Sequence, residues 1–539
     1  MTYSTHPHAG KCYQECTLRQ FKTITLLCTG IFLSFSNAYW HESQASEQGF
    51  YQTKTPYQPQ QKLSDYSAVP RGYQLVSTQL VTRHGARGMT SADDALLMYR
   101  LWALAKQSNG LTPLGRQFGS DVMKLLQANA LLGYGQDGII QPGFGHESQL
   151  GASELRGLAQ RMQQRLPGFL TQLVRHKRQI VVVNAGADRI LESQYYFLQG
   201  LIQDNAALKK LLVYPPAPAP FPQSGTPITQ PDGRNRFLLY FHKLTKKDDW
   251  VTDSASPYYA TYQASQALQS YQKSDSDLKQ LKDQLDRSPQ TQAMAKRMLS
   301  KIFTPSFLRQ LAQGQIAVQN TGEYHFQSFD GQYPTTVTGD GKSKIKSILD
   351  AANSSYALYS IAPNLQKELG FDLNRYFPEA ATRYFAFYSD YEDFYDKGPG
   401  IKEKGAVTYQ VAHILQDDFF AQVDRIAQGD TREGVKLRFT HAEEMIPFIS
   451  QLGIEPAAQQ QPLAKPYSYA NNPWRGQIVA PMMSNIQWDV YQNAEKRLIV
   501  RMLLNEKEVR FKTDCAAAQL TPNSFFYDYQ RLRQCYGYR

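Results

Sequence analysis

The alternation of apolar and polar residues along the chain predicts strands that are followed by loops and then by helices. Residues 73–81 alternate in this way, as is typical of a β-strand. Residues 179–184 form a short apolar run of the kind that lies buried in a parallel sheet, and the strand pattern returns at residues 435–440. Strands that alternate with helices indicate the α/β class, with a mostly parallel sheet flanked by helices.

Helical periodicity follows the predicted strands. It predicts helices over residues 93–106, 111–126, 151–165 and 191–202. A further helix follows residue 440, and Pro447 is tolerated in it only near the first turn, so the helix begins close to Glu443. His441 and Glu443 therefore lie at its N-terminal end. The glycines of residues 133–138 match a dinucleotide-binding pattern, but they follow a helix instead of a strand, which indicates a plain loop.

The character of the chain changes between residues 205 and 430. Residues 215–222 form a proline-rich connector, and helical patterns dominate afterwards, at residues 263–301, 351–369 and 379–395. Strand patterns resume at 477–488 and at 498–511, the latter a hairpin. We predict a flexible lead-in at 39–70, an α/β catalytic domain formed by 71–210 and 431–539, and a mostly α-helical insertion at 211–430.

The first 38 residues are typical of a signal peptide. Lys11, Arg19 and Lys22 precede an apolar run at 24–35, which ends in small residues at 36–38. The apolar run is too short for a comfortable membrane span, so we expect no stable span in the mature chain. The expected location is periplasmic or secreted.

Cysteine usage agrees with export. Three of the five cysteines, at positions 12, 16 and 28, fall in the predicted leader. The mature chain keeps only Cys515 and Cys535, and in an oxidising compartment such a pair most simply forms one disulfide. Two unpaired thiols are the alternative.

Composition narrows the class of protein. Hydrophobic residues make up 42% of the chain and aromatic residues 12%, which is enough for a large folded core. Charged residues at 19% argue against a disordered chain. The formal net charge of +11 suits a polyanionic partner, although the absence of a long Lys/Arg block leaves open a merely basic surface.

Three of the predicted strand ends carry chemically active side chains. They are Arg83, His84 and Arg87 after the first strand, Arg189 after the second, and His441 with Glu443 after the third. Ligands of open α/β sheets bind at the carboxyl ends of the strands, so we expect these groups to converge. Three guanidinium groups exceed the need of a carboxylate ligand and suit a phosphoryl group.

This set of groups predicts phosphoryl transfer. His84 attacks phosphorus and holds the phosphoryl group, while Gly85 removes side-chain bulk so that the substrate can approach the imidazole. Glu443, kept protonated, donates to the leaving alkoxide. No His/Cys/Asp cluster has metal-ligand spacing, and arginines take the place of a metal, so we expect no cofactor.

The segment Arg83-His84-Gly85-Ala86-Arg87 resembles the signature of the histidine phosphatase superfamily, in its acid phosphatase/phytase branch. The tripeptide His441-Ala442-Glu443 is similar to the second signature of the multiple inositol polyphosphate phosphatase group, and the stretches after Arg189 and at 390–400 agree with that group. In one departure, Met89 stands where the common pattern has proline. This bears on the shape of the loop and on substrate preference.

The resemblance implies a phosphoglycerate-mutase-like α/β domain with an inserted α-helical domain. It implies that His84 is the nucleophile, that Glu443 is the proton donor, and that the phosphate is bound by Arg83, Arg87, Arg189 and His441. The expected activity is hydrolysis of inositol hexakisphosphate (phytate) and related inositol polyphosphates, with a small-molecule substrate and no nucleic acid as partner. The alternatives are a broad-specificity acid phosphatase acting on sugar phosphates or phosphoglycerates, and a non-catalytic polyanion-binding protein.

Overall fold

The computed structural model describes residues 49–216 and 233–539. The strands are β1 Gln74–Arg83, β2 Gln179–Asn184, β3 Leu212–Val213, β4 Val318–Gln327, β5 Pro334–Ile345, β6 Glu433–Thr440, β7 Asn485–Gln492, β8 Leu498–Leu504, β9 Lys507–Val509 and β10 Phe526–Asp528. The helices are α1 Asp93–Gln107, α2 Gly115–Ala130, α3 Gln149–Arg165, α4 Phe169–His176, α5 Asp188–Ile202, α6 Arg236–Leu239, α7 Tyr259–Ser274, α8 Ser276–Arg287, α9 Pro289–Leu299, α10 Pro305–Ala312, α11 Ile348–Ile361, α12 Gln366–Leu369, α13 Glu379–Asp396, α14 His413–Ala427, α15 Ala442–Gln451, α16 Gly476–Val479 and α17 Tyr529–Cys535. The predicted leader lies outside the described residues, as does most of the proline-rich connector.

The main sheet runs in the order β10-β8-β7-β1-β6-β2-β3, with β9 paired to β8. Strands β1, β6, β2 and β3 pair in parallel. The strands from β7 outward pair antiparallel, as hairpin-linked strands do. The α/β class is therefore confirmed, and the parallel half carries the predicted strand ends.

Apolar residues of β1, β2 and β6 fill the interior because helices cover both faces of the parallel half. Val81, Val182 and Leu437 are essentially inaccessible to solvent. The apolar faces of α3, α5 and α15 pack in the same hydrophobic core. This packing fixes three strand ends at one edge of the sheet.

A long hairpin inside the predicted helical insertion was not predicted. Strands β4 and β5 pair antiparallel and are mostly exposed on both faces. Their sequences are rich in Thr, Gly and Lys, so the period of two in apolar residues that marks a strand is missing. Asn320 holds the hairpin to helix α1 by donating to the Asp93 carboxylate over 2.8 Å.

The predicted flexible lead-in is wrong for residues 49–57. Tyr51, Thr55 and Tyr57 are buried, and Gln52–Lys54 forms a short 3-10 helix. The backbone carbonyl of Thr55 accepts a hydrogen bond from the N–H of Met482 over 3.0 Å. Burial of aromatic side chains offsets the entropy of ordering this segment, which has no periodic pattern of its own.

The C-terminal part confirms the predicted disulfide, since Cys515 and Cys535 are bonded. The strand predicted at 477–488 begins only at Asn485, because 476–479 forms the short helix α16. The predicted hairpin is confirmed by β8 and β9. Among the described residues, none of the helices is both long enough and apolar enough to cross a membrane.

Candidate active site

The carboxyl ends of β1, β2 and β6 meet at one place. The backbone N–H of His84, directly after β1, donates to the carbonyl of Thr440 at the end of β6 over 2.9 Å. Arg189 lies in the first turn of α5 and His441 is the residue before α15. The structure therefore brings together residues that are more than 350 positions apart in the sequence.

The ring of His84 is held in one orientation and one tautomer. Its Nδ1 lies 2.9 Å from the carbonyl oxygen of Gly85, so Nδ1 carries the proton and donates it there. Burial lowers the pKa of His84 well below its usual value, and the neighbouring Arg83 and Arg189 lower it further. A neutral imidazole with a free lone pair on Nε2 is a nucleophile.

His441 faces His84 and is held by an arginine. The two imidazole rings lie 5.8 Å apart, and Arg189 Nη2 donates to His441 Nδ1 over 3.2 Å. Burial, followed by repulsion from Arg189, lowers the pKa of His441 well below its usual value. The proton of this neutral ring is therefore on Nε2, which is buried and finds no acceptor within the described protein.

Three arginines line the same place. The Nε atoms of Arg83, Arg87 and Arg189 are buried and have no acceptor within the described protein. Burial lowers the pKa of Arg83 to about 10 and that of Arg87 to about 9, and repulsion among the arginines contributes. Buried N–H donors that lack a protein acceptor are costly unless a ligand satisfies them, so this arrangement is suited to an anion.

Glu443 lies at the open side of this group, in the first turn of α15. Its side chain is 41% exposed, and its Oε1 lies 3.4 Å from Lys397 Nζ. Burial alone raises the pKa of Glu443, but the positive charges of Lys397 and His242 bring it well below its usual value. The expectation that Glu443 is kept protonated is therefore wrong for the ligand-free site, where it is a carboxylate.

The structure adds charged groups that the sequence did not predict. Lys54 comes from the buried part of the lead-in, and burial with repulsion from Arg87 lowers its pKa to about 8. Lys397 follows α13 and pairs with Asp393 over 2.9 Å. Lys54 carried no signal, because its segment has no periodic pattern. Lys397 lay in the 390–400 stretch on which the resemblance rested, although no role was assigned to it.

Two buried carboxyl groups support the loop that follows His84. The N–H of Gly85 donates to Glu147 over 2.8 Å, and the N–H of Ala86 donates to Glu154 over 2.9 Å. A β-carbon at position 85 would lie 2.9 Å from Gly151 Cα, in helix α3. The glycine is thus required by packing of the loop against α3, which corrects the prediction that it clears space for a ligand.

Met89 is hydrogen-bonded to helix α2. Its backbone N–H donates to Asn129 Oδ1 over 2.6 Å, and its side chain is buried in a hydrophobic core with residues of α1, α2 and α11. A proline at this position would lack that N–H. The loop is therefore held by a hydrogen bond that a proline could not donate.

Within the two described stretches, no group of three or more His, Cys, Asp or Glu side chains is arranged to hold a metal ion. The chemistry that the site offers is cationic binding of a tetrahedral anion. The neutral imidazole of His84 and the carboxylate of Glu443 lie beside these cations.

The sequence pattern described as the histidine phosphatase superfamily (branch 2) matches residues 74–505. Comparison with curated proteins finds no match. Among solved structures, the chain is similar to the multiple inositol polyphosphate phosphatase of Bifidobacterium longum in three states. Sequence identity and TM-score are 28% and 0.77 for its complex with inositol hexasulfate, 27% and 0.79 for its phosphate complex, and 28% and 0.78 for its apo form. Each comparison covers 90% of this chain and 97% of the other.

Proposed function

Because the chain belongs to the histidine phosphatase superfamily and is a phosphomonoesterase, we propose that it removes phosphate from inositol hexakisphosphate and related inositol polyphosphates. The observation that carries the proposal is the excess of positive charge around His84. Arg83, Arg87 and Arg189 act on His84 directly. Lys54 and Lys397 lie close enough to these arginines to repel them. The carboxylates of Asp393 and Glu443 oppose them only in part.

We assign the attack on phosphorus to His84 Nε2. Its lone pair forms the P–N bond while the P–O bond to the inositol breaks. Glu443 in its protonated form gives its proton to the leaving oxygen, so the product departs as an alcohol. Water then replaces nitrogen on phosphorus and gives one proton to the Glu443 carboxylate. This step releases inorganic phosphate and restores a neutral imidazole and a protonated carboxyl group.

The arginines and His441 act in this scheme by electrostatic stabilisation. Arg83, Arg87 and Arg189 donate N–H groups to the equatorial oxygens of the transferred group, where charge is greatest in the transition state. His441 donates from Nε2, the tautomer that its contact with Arg189 requires. The Gly85 carbonyl keeps the attacking nitrogen of His84 unprotonated.

A polyphosphorylated substrate explains the cations beyond these. One transferred phosphoryl group occupies the three arginines, whereas Lys54 and Lys397 approach from outside the parallel strands. Lysine is a mobile point charge that binds phosphate without fixed geometry, as suits the varied positions of neighbouring phosphates. The inositol hexasulfate in the related Bifidobacterium longum structure agrees with such a ligand.

Lys54→Met is expected to discriminate between substrates. We expect the KM for phytate to rise about tenfold, which corresponds to a loss of roughly 1.4 kcal/mol in binding free energy when one charged contact is removed. The kcat/KM for 4-nitrophenyl phosphate, which has a single phosphate, is expected to stay within about twofold. Phosphate release from both substrates, measured over a range of salt concentrations, checks this, and the phytate reaction is expected to be the more salt-sensitive.

Lys62→Met is the matched control, because Lys62 lies in the same segment but is exposed. It is expected to leave both substrates unaffected. Equal losses on both substrates for Lys54→Met would place Lys54 at the transferred phosphate and remove its support for a polyphosphate. Comparable kcat/KM values of the wild type on phytate and on a simple monoester would favour the alternative, a broad-specificity acid phosphatase.

We also propose that the protein is exported and loses residues 1–38. The disulfide between Cys515 and Cys535 supports this, since such bonds persist in oxidising compartments. Mass spectrometry of the protein recovered outside the cytoplasm is expected to find Tyr39 at its N-terminus. An intact leader on the exported protein would contradict the proposed cleavage.

A further inference from the structure

Lys397 lies between two carboxylates at the end of a long helix. Its Nζ is 2.9 Å from Asp393 Oδ1 and 3.4 Å from Glu443 Oε1, and its side chain is 18% exposed. Helix α13 ends at Asp396, so the lysine occupies the C-terminal end of the helix dipole, which favours a cation. The Asp393 carboxylate is held in place by Gln52, whose Nε2 donates to it over 2.6 Å.

The turn that presents Lys397 is tightly held. The N–H of Gly398 donates to the carbonyl of Asp393 over 2.9 Å, and the carbonyl of Gly398 accepts from the hydroxyl of Thr408 over 2.7 Å. A β-carbon at position 398 would lie 2.7 Å from the carbonyl oxygen of Phe394. The backbone is therefore fixed, and only the flexible side chain of Lys397 can change partner.

Glu443 must be protonated to serve as a donor, yet its surroundings keep it ionised. The groups that face it are the cations and imidazoles of Lys397, His242, His441, Arg83 and Arg87, with the phenol of Tyr240 and the carboxyl of Glu444 opposing them. Among the described residues, the cation in direct contact with the Glu443 carboxylate is the ammonium group of Lys397. An anion that binds to these cations offsets their positive charge, and so offsets their lowering of the pKa of Glu443.

We propose that Lys397 couples substrate binding to protonation of Glu443. When a phosphate group of the substrate enters, Lys397 Nζ moves from the Glu443 carboxylate to the phosphate oxygens and stays anchored by Asp393. Glu443 then takes one proton from solvent, and this is the proton that it later gives to the leaving oxygen. Glu443 is therefore protonated only in the substrate complex. This inference rests on the proposed function and adds Lys397 as a positioning residue.

Inositol hexasulfate is the probe, because it imitates the polyphosphate while its sulfate esters neither transfer nor titrate near neutral pH. Calorimetric binding at pH 6, repeated in buffers of different ionisation enthalpy, counts the protons taken up. Lys54, with a pKa of about 8, is already charged at pH 6 and so does not contribute to the proton uptake. The wild type is expected to take up about one proton more than Lys397→Met. Glu443→Gln is expected to show the same decrease in proton uptake as Lys397→Met. The double variant is expected to show no further decrease.

The pH dependence of turnover gives a second readout. In the wild type, kcat/KM is expected to fall at a lower pH than kcat, because the free enzyme holds Glu443 ionised and the complex holds it protonated. Lys397→Met is expected to move the kcat/KM limb to higher pH and so to bring the two limbs together. Lys397→Arg, which retains the cation, is expected to restore their separation.

Lys282→Met is the matched control, since Lys282 pairs with Asp396 at the end of the same helix over 2.7 Å and is not in contact with Glu443. It is expected to behave as the wild type. If Lys397→Met lowers turnover equally at every pH and leaves proton uptake unchanged, Lys397 is only structural and the proposal is overturned. If the wild type fails to bind inositol hexasulfate at all, the proposed substrate class fails instead.

Discussion

His84→Ala is expected to abolish phosphate release from phytate, with a loss in kcat of about 10⁴-fold or more, because the variant lacks the nitrogen that forms the phosphorylated intermediate. The three arginines and His441 remain, so the variant is expected to keep its affinity for inositol hexasulfate within several-fold. Phosphate release and calorimetric binding check the two halves of this prediction separately.

The matched control is His325→Ala, which removes a histidine exposed on the hairpin of β4 and β5. It is expected to leave both activity and binding unchanged. Phosphate release that survives in His84→Ala would reject His84 as the nucleophile. Loss of binding together with activity, in a variant that still unfolds cooperatively, would mean that His84 contributes to the anion site more than to the chemistry.

Glu443→Gln is expected to depend on the leaving group. Loss of the proton donor costs about 10²–10⁴-fold in the first step with phytate, whose alkoxide is a poor leaving group. With 4-nitrophenyl phosphate the leaving group needs no proton, so the first step is expected to remain fast. The second step is slowed for both substrates, because glutamine cannot take a proton from water.

A rapid-quench experiment distinguishes these steps. Glu443→Gln with 4-nitrophenyl phosphate is expected to release a burst of about one nitrophenolate per active site, followed by slow turnover, while phosphate stays on His84. The phytate reaction of the same variant is expected to show no burst, and it serves as the internal control. A first step that is slowed equally for both esters would show that Glu443 does not protonate the leaving group.

The local elements of this protein could be predicted because they depend on short-range patterns. Alternation at residues 73–81 and the apolar run at 179–184 located β1 and β2. Helix α15 begins where it was predicted, but Pro447 is its sixth residue and lies inside the helix instead of near the first turn. The hairpin of β4 and β5 escaped prediction because it is exposed on both faces, so its side chains carry no burial pattern. The buried lead-in escaped because its order depends on partners that lie far along the chain.

The sequence by itself determined which chemistry the three strand ends carry, since the residue types of Arg83, His84 and Glu443 are fixed before folding. Only the tertiary structure decided their protonation. Burial among arginines leaves His84 neutral, and contact with Lys397 leaves Glu443 ionised. Both effects depend on distance and on exclusion of water, and the sequence does not state either quantity. The tertiary structure also delivered Lys54 to the site, because packing of the lead-in placed a charge there that no local pattern predicts.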